Sequence, residues 1–164
     1  DTDALVDIAK RASTSVRFFN EKPVVAMMSH SNFGSSQSDG AKKVRRAVEI
    51  MQQQFPDLPI DGELQLGFAL DQELRDEQYP FTRLKGKKVN TLVFPNLTSA
   101  RSSYKMLQML DADVEIIGPI QMGLNKPIHF IDFGASVRDV VNIVAVAGID
   151  AYVDKIKSRI NAKK

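Results

Sequence analysis

The sequence predicts an α/β fold, a three-layer α/β/α sandwich with a mostly parallel sheet. Short apolar runs such as "VVAMM" and "TLVF" lack the polar alternation of a half-exposed strand, so they read as strands covered on both faces. These runs alternate with longer helical patterns, which is the order a parallel sheet needs. At 164 residues, with no internal repeat, low-complexity tract or linker, the chain reads as one α/β unit able to bury its own core.

The elements follow in order. Leu5, Ile8, Ala9, Ala12, Val16 and Phe19 have helical spacing, with Asp3 as the expected N-cap. Pro23 leads into the strand "VVAMMS", which ends at Ser29. After "HSNFGSSQSDG" comes an amphipathic helix with Val44, Ala47, Val48, Met51 and Phe55 on one face. "IDGELQ" is a short strand, and Phe68 to Gln78 a helix with Asp71 and Glu73 outward. "KGKK" is a surface turn before the third strand, "VNTLVF"; Pro95 ends that strand, and a helix follows from about Thr98 to Leu110. "VEIIG" and "IHFID" are the expected fourth and fifth strands, separated by the loop "PIQMGLNKP". The last helix runs from Ser136 to about Ile160. Its stretch Val140 to Ile149 is uncharged and apolar nearly all round, so it is buried on several sides. Two settings fit: the core of one subunit, or a contact with a second subunit or another domain.

Composition narrows the chemistry. A formal net charge of +2 gives no ground for a nucleic-acid or membrane partner, and the basic run from Lys155 to Lys164 reads as a solvated helix end. With no cysteine, disulfides, thiolate metal sites and cysteine nucleophiles are excluded, and two histidines make a histidine metal site a poor expectation. No run reaches the ~18 apolar residues of a membrane span and no signal-peptide pattern opens the chain, so the expected location is cytoplasmic. Asp1-Thr2-Asp3 leads almost directly into a helix, as in a piece of something larger.

In open α/β sheets, ligands bind beyond the carboxyl ends of the strands. Three loops there are rich in small polar residues: Ser29 to Ser36, Pro95 to Ser99, and Gly118 to Gly123. Their N–H groups and hydroxyls suit an anion, and equally suit turns and helix caps. Neither a P-loop nor a dinucleotide fingerprint is present. His30 and His129 are open to acid–base or plain structural roles. Asp61 and Glu63 lie two apart on one strand, which permits a paired-carboxylate site or hydrogen bonding to a neighbouring loop.

"VAMMSHSNFGSS", "KVRRAVEIM", "PIDGELQ", "VNTLVFPNLTSARSSYKML" and "IIGPIQMGLNKPIHFIDFGASVRDVVNIVAVAGIDA" resemble, in order, the C-terminal half of phosphate acetyltransferases. "SNFGS" and "RLKG…VFPNL" look most like the phosphotransacetylase-like region of bacterial NADP-dependent malic enzymes. The resemblance implies that residues 1–164 are the C-terminal half of a regulatory phosphotransacetylase-like domain. It further implies acetyl-CoA as effector, self-association into a homo-oligomer through the last helix, and missing N-terminal parts of the same polypeptide. NADP and a divalent metal would belong only to the parent enzyme. The expected ligand contacts are Ser29, Ser31, Asn32, Ser35, Asn96 and Arg101.

In active members the segment after "GL-x-KP" reads like "VNDLSRGCS-x-x-DIV", with a serine and an arginine at the turn and an aspartate as base. Here Asp132 takes the serine position, Phe133 the arginine, Ala135 the cysteine, and Asp139 keeps the aspartate. Arginine offers phosphate a two-pronged cationic fork, and phenylalanine offers no charge. Two like charges ~4 Å apart cost about 4 kcal/mol at an effective dielectric near 20, so Asp132 opposes a phosphate. Ser136 and Asp139 also have the spacing of a helix capping box. The alternative is an active phosphate acetyltransferase with Asp139 as base. "FPNLTSARSSYK" departs from the enzyme-like "FPDL-x-AGN-x-GYK" at Asn96, Ala100 and Arg101, and Arg101 suits either a CoA phosphate or a closed pocket.

Overall fold

The computed structural model describes residues 1–110, 116–124 and 126–161, with 157–161 as backbone only. Where the sequence reads as one α/β unit, the residues gather into two compact units, 1–106 and 107–164.

The first unit carries the parallel sheet. β1 (Val25–Met28) lies between β2 (Ile60–Leu64) and β3 (Thr91–Val93), both parallel to it. Every β1 residue is buried, and alternate side chains serve two different cores. Val25 and Met27 join Leu5 and Ala9 of α1 (Thr2–Phe18) and Val44, Ala47, Val48 and Met51 of α2 (Asp39–Gln54). Ala26 and Met28 join Leu64, Leu84, Val89 and Ala69 of α3 (Leu66–Leu70). The α/β/α expectation holds here, and the lack of polar alternation in β1 has this cause.

Several details differ from the expectation. Asp1, not Asp3, caps α1, accepting from the Ala4 N–H at 2.7 Å; with the helix starting at Thr2, only Asp1 lies three residues before a free N–H. The buried stripe of α1 is Leu5, Ala9 and Ser13, while Ile8 and Phe19 are about half exposed. Phe68 to Gln78 is two helices, because Asp71 is extended (φ −89°, ψ 101°) and caps α4 (Gln72–Gln78) by accepting from Leu74 N–H at 2.9 Å. Gly62 has φ +150°, and a Cβ there would come 2.5 Å from the Met27 carbonyl oxygen, so only glycine fits. α5 (Leu97–Leu110) follows β3.

In the second unit the fifth expected strand is not formed, and Ile116 to Gly118 of the fourth are not strand either; Val114 and Glu115 lie outside the described residues. A strand needs a neighbouring backbone to pair with. The chain here is fixed by His129 instead, whose Nδ1 accepts from the Gln121 N–H at 3.3 Å. α6 (Val137–Asn161) buries Ile143 and Val146, but Val140, Val141, Val144 and Ile149 are exposed. The expected burial of this stretch is therefore only partial among the described residues, limited to Ile143 and Val146. No described helix is long and apolar enough to cross a membrane.

Candidate ligand site at the strand ends

Because the three strands are parallel, their carboxyl ends share one sheet edge. β1 runs into the loop 29–38, where the Ser29 N–H still donates to Leu64 O at 2.8 Å. The loop then folds around one carboxylate. Glu63, fully buried near the end of β2, accepts at Oε1 from the Ser31 hydroxyl (2.6 Å), the Gly34 N–H (2.9 Å) and Arg45 Nη2 (2.9 Å). Its Oε2 accepts from Arg45 Nε at 3.0 Å, completing a two-pronged pair. Burial pushes the Glu63 carboxyl up, but Arg45, Ser31 and Gly34 together hold it below the ordinary carboxylate value. The same pair raises Arg45.

The rest of the loop is tied to this centre. Arg45 Nη2 also donates to Ser36 O (3.0 Å), and Ser36 N–H donates to Ser31 Oγ (3.0 Å). Asn32 N–H donates to Ser35 Oγ (3.0 Å), and Asn32 Oδ1 accepts from Gln65 N–H (2.7 Å). Gln65 Nε2 donates to His30 O at 2.8 Å. Across the edge, Lys43 Nζ donates to Pro95 O at 3.0 Å, linking α2 to the turn after β3.

Among the expected contact residues, Ser31 and Asn32 are buried keystones of the loop, Ser35 is exposed at its rim, and Ser29 is half-buried. Asn96 lies at the same sheet edge, but its Oδ1 accepts from Ser99 N–H at 2.9 Å and so caps α5. Arg101 is exposed on α5. The third expected loop, Gly118 to Gly123, lies in the second unit. Several loop N–H groups are thus spent internally, and an incoming anion meets side chains at the rim more than a bare backbone cradle.

Asp61 and Glu63 do not form a carboxylate pair. Asp61 Oδ2 accepts from the Thr82 hydroxyl and the Arg83 N–H, both at 2.8 Å, so each acid organises its own loop. His30 Nε2 lies 3.2 Å from Ser36 Oγ. His129 Nε2 is 3.4 Å from Asp150 Oδ2, without hydrogen-bond geometry. Sequence reasoning missed Arg45 and Arg75. The signal for Arg45 was present: a glutamate inside an apolar strand needs a cation. Arg75, fully buried, donates to the carbonyls of Ala69, Leu84 and Lys87, and its position on a short polar helix gave no such clue.

In the second unit the turn 132–135 is closed by Ala135 N–H donating to Asp132 O at 3.0 Å, with Phe133 wholly exposed. Asp139 Oδ2 accepts from both the N–H and the hydroxyl of Ser136 at 2.8 Å, and Asp139 N–H donates back to Ser136 Oγ at 3.2 Å. This is a capping box with Asp in place of Glu. The Ser136 backbone and side-chain hydrogen bonds, chiefly the former, hold Asp139 below its ordinary value. A carboxylate so stabilised is a weaker base.

The fold and this edge define a parallel α/β domain with a preformed polar loop beyond its strands. The phosphate acetyl/butaryl transferase family model matches residues 1–148, and the chain belongs to that family. It is similar to the NADP-dependent malic enzyme of Escherichia coli (strain K12), 41% identical over 156 residues, which are 95% of this chain and 20% of that protein. It is also similar to the phosphate acetyltransferase of Clostridium acetobutylicum, 42% identical over 151 residues, 92% of this chain and 45% of that one. A phosphotransacetylase from Streptococcus pyogenes superposes with a TM-score of 0.83 at 35% identity, covering 92% of this chain and 45% of its own. The chain thus spans a fifth of the malic enzyme and under half of the acetyltransferases.

Proposed function

We propose that the chain is part of a phosphotransacetylase-like regulatory domain of an NADP-dependent malic enzyme, binding acetyl-CoA as effector rather than turning it over. The observation carrying this reading is the turn 132–139. Phe133 stands where the resemblance expects an arginine and is fully solvent-facing, and Asp139 is engaged as a helix cap. Asp132 is exposed, so solvent and salt weaken its repulsion of phosphate. The missing cation is the stronger argument against acetyl transfer. Similarity to malic enzymes at 41–43% supports the parent.

Allostery here means that acetyl-CoA favours one subunit arrangement over another, by about 1–3 kcal/mol of coupling. The exposed apolar side of α6 supports self-association as the arrangement so controlled. Titration calorimetry with acetyl-CoA tests binding, and the expected result is saturable heat with a raised melting temperature. The second reading, an active acetyltransferase, is favoured by the similarity to phosphate acetyltransferases and by retention of Asp139. Thioester formation from acetyl phosphate and CoA decides between them: turnover that Asp139→Asn abolishes would replace the regulatory reading.

A further inference from the structure

The second core is closed by four aromatic rings. Phe33 comes from the loop after β1, Phe68 from α3, and Tyr79 and Phe81 from the segment after α4. Ring centroids lie 4.9 Å apart for Phe33–Tyr79, 5.0 Å for Phe33–Phe81, 5.1 Å for Phe68–Tyr79 and 6.0 Å for Tyr79–Phe81. Phe33 and Phe68 pack on the core beneath. Phe81 does not explain itself as a lid: it is 68% exposed and adds an outer ring to a cluster already closed.

The segment after Phe81 is held with unusual thoroughness. Asp61 grips Thr82 and Arg83, Arg75 grips the carbonyls of Leu84 and Lys87, and Asp76 Oδ2 accepts from Gly86 N–H at 2.7 Å. Leu84 and Thr82 are buried by this, while the side chains of Arg83 and Lys85 stay exposed on either side. The nearby Asp76 carboxylate is already committed to Gly86 and Arg75, so it only partly offsets those cations. An exposed aromatic ring, followed two and four residues later by exposed cations on a turn held by these bonds, has the chemistry that receives a base and its phosphates.

We infer that Phe81, backed by Phe33 and Tyr79, stacks the base of a purine nucleotide whose phosphates meet Arg83 and Lys85. Acetyl-CoA ends in such a nucleotide, so the inference rests on the acetyl-CoA reading and assigns that end of the ligand to this shelf. Phe33 joins the shelf to the strand-end loop, because its neighbours Asn32 and Gly34 are both pinned to β2 or the residue after it.

The test is calorimetry on the chain with acetyl-CoA and with adenosine 3′,5′-bisphosphate. Phe81→Ala weakens both about tenfold, Phe81→Tyr restores them, and the melting temperature stays put because the ring is exposed. Arg83→Glu with Lys85→Glu weakens both and flattens the dependence on salt. If Phe81→Ala binds acetyl-CoA as the parent chain does, the shelf is overturned and the acetyl-CoA reading stands. Binding of the bisphosphate through Phe81 without binding of acetyl-CoA keeps the shelf and overturns the effector. Binding of neither ligand overturns both.

Discussion

The two units differ in how far they bury charge, although both leave apolar side chains in water, Leu70 and Phe81 of the first among them. In the first, the charges that a core should reject are buried and paired: Glu63 with Arg45, Asp61 with Thr82 and Arg83, Arg75 with three carbonyls. In the second, the apolar groups that water should reject are left outside: Phe130, Phe133, Val141, Val144 and Tyr152 are all more than half exposed. Buried ions held this way mark structure largely finished within one chain, although Arg75 Nε is buried without a hydrogen-bond partner. A long helix with an apolar face in water marks structure that association completes. Under the proposed function, ligand organisation would fall to the first unit and assembly to the second.

The largest expected effect breaks the first half of that contrast. Glu63→Ala strands a guanidinium, a hydroxyl and an N–H that converge on one buried carboxylate. Loss of one partner of a buried pair costs about 3–5 kcal/mol, the lower end applying because Arg45 is partly exposed. Urea unfolding followed by circular dichroism reads it as a lowered midpoint. Gly62→Ala comes next, at about 2–3 kcal/mol, because its Cβ would press on the Met27 carbonyl at a backbone angle that side chains avoid.

Acid sharpens the same point. Glu63 sits below its ordinary value of 4.5 when folded, so its contribution is complete above that value and is lost as pH falls through the folded value. The stability gap between the parent chain and Glu63→Gln should be flat near neutrality and shrink below about pH 4.5. A gap that widens in acid would mean the carboxylate is not held ionised by Arg45.

How far these features were legible in the sequence differs between the units for the same physical reason. β1 and α2 were readable because their apolar spacing is satisfied within the chain, and Val44, Ala47, Val48 and Met51 are all buried. The "DGELQ" acids were visible as a problem, though not their separate solutions, since Arg45 and Thr82 reach them from distant positions. The split at Asp71 followed from a cap competing with a helix interior, which periodicity does not weigh. The fifth strand, and Ile116 to Gly118 of the fourth, were misread because apolar runs look alike whether they pair in a sheet or face water. Ser136 with Asp139 was legible outright, as the spacing alone specifies the box.

That box gives a smaller and local prediction. Ser136→Ala removes two of the three bonds between the residues, so Asp139 moves back toward its ordinary value and the first turn of α6 exchanges its amides severalfold faster. Hydrogen exchange and carboxylate titration by NMR check both. An Asp139 value unmoved by the change would mean that the Ser136 hydroxyl adds nothing and that the retained Ser136 N–H alone holds it down.

The smallest effect on folding carries the most information about assembly. Val144 is 62% exposed on the uncharged stretch of α6, so Val144→Asp should alter monomer stability by no more than about 0.5 kcal/mol. If that face meets a second copy, the same change buries a carboxylate in an apolar contact, a cost too large for association to survive. Sedimentation then shows a parent oligomer and a monomeric variant with the same midpoint in urea extrapolated to low protein concentration. An equal change at Arg46, exposed on α2 of the first unit, should leave assembly alone. Should Val144→Asp unfold the chain instead, the helix belongs to a core within one subunit and the contrast between the units fails. Should both variants assemble as the parent does, the apolar face of α6 serves something other than a second copy, and the first unit becomes the place to seek the interface.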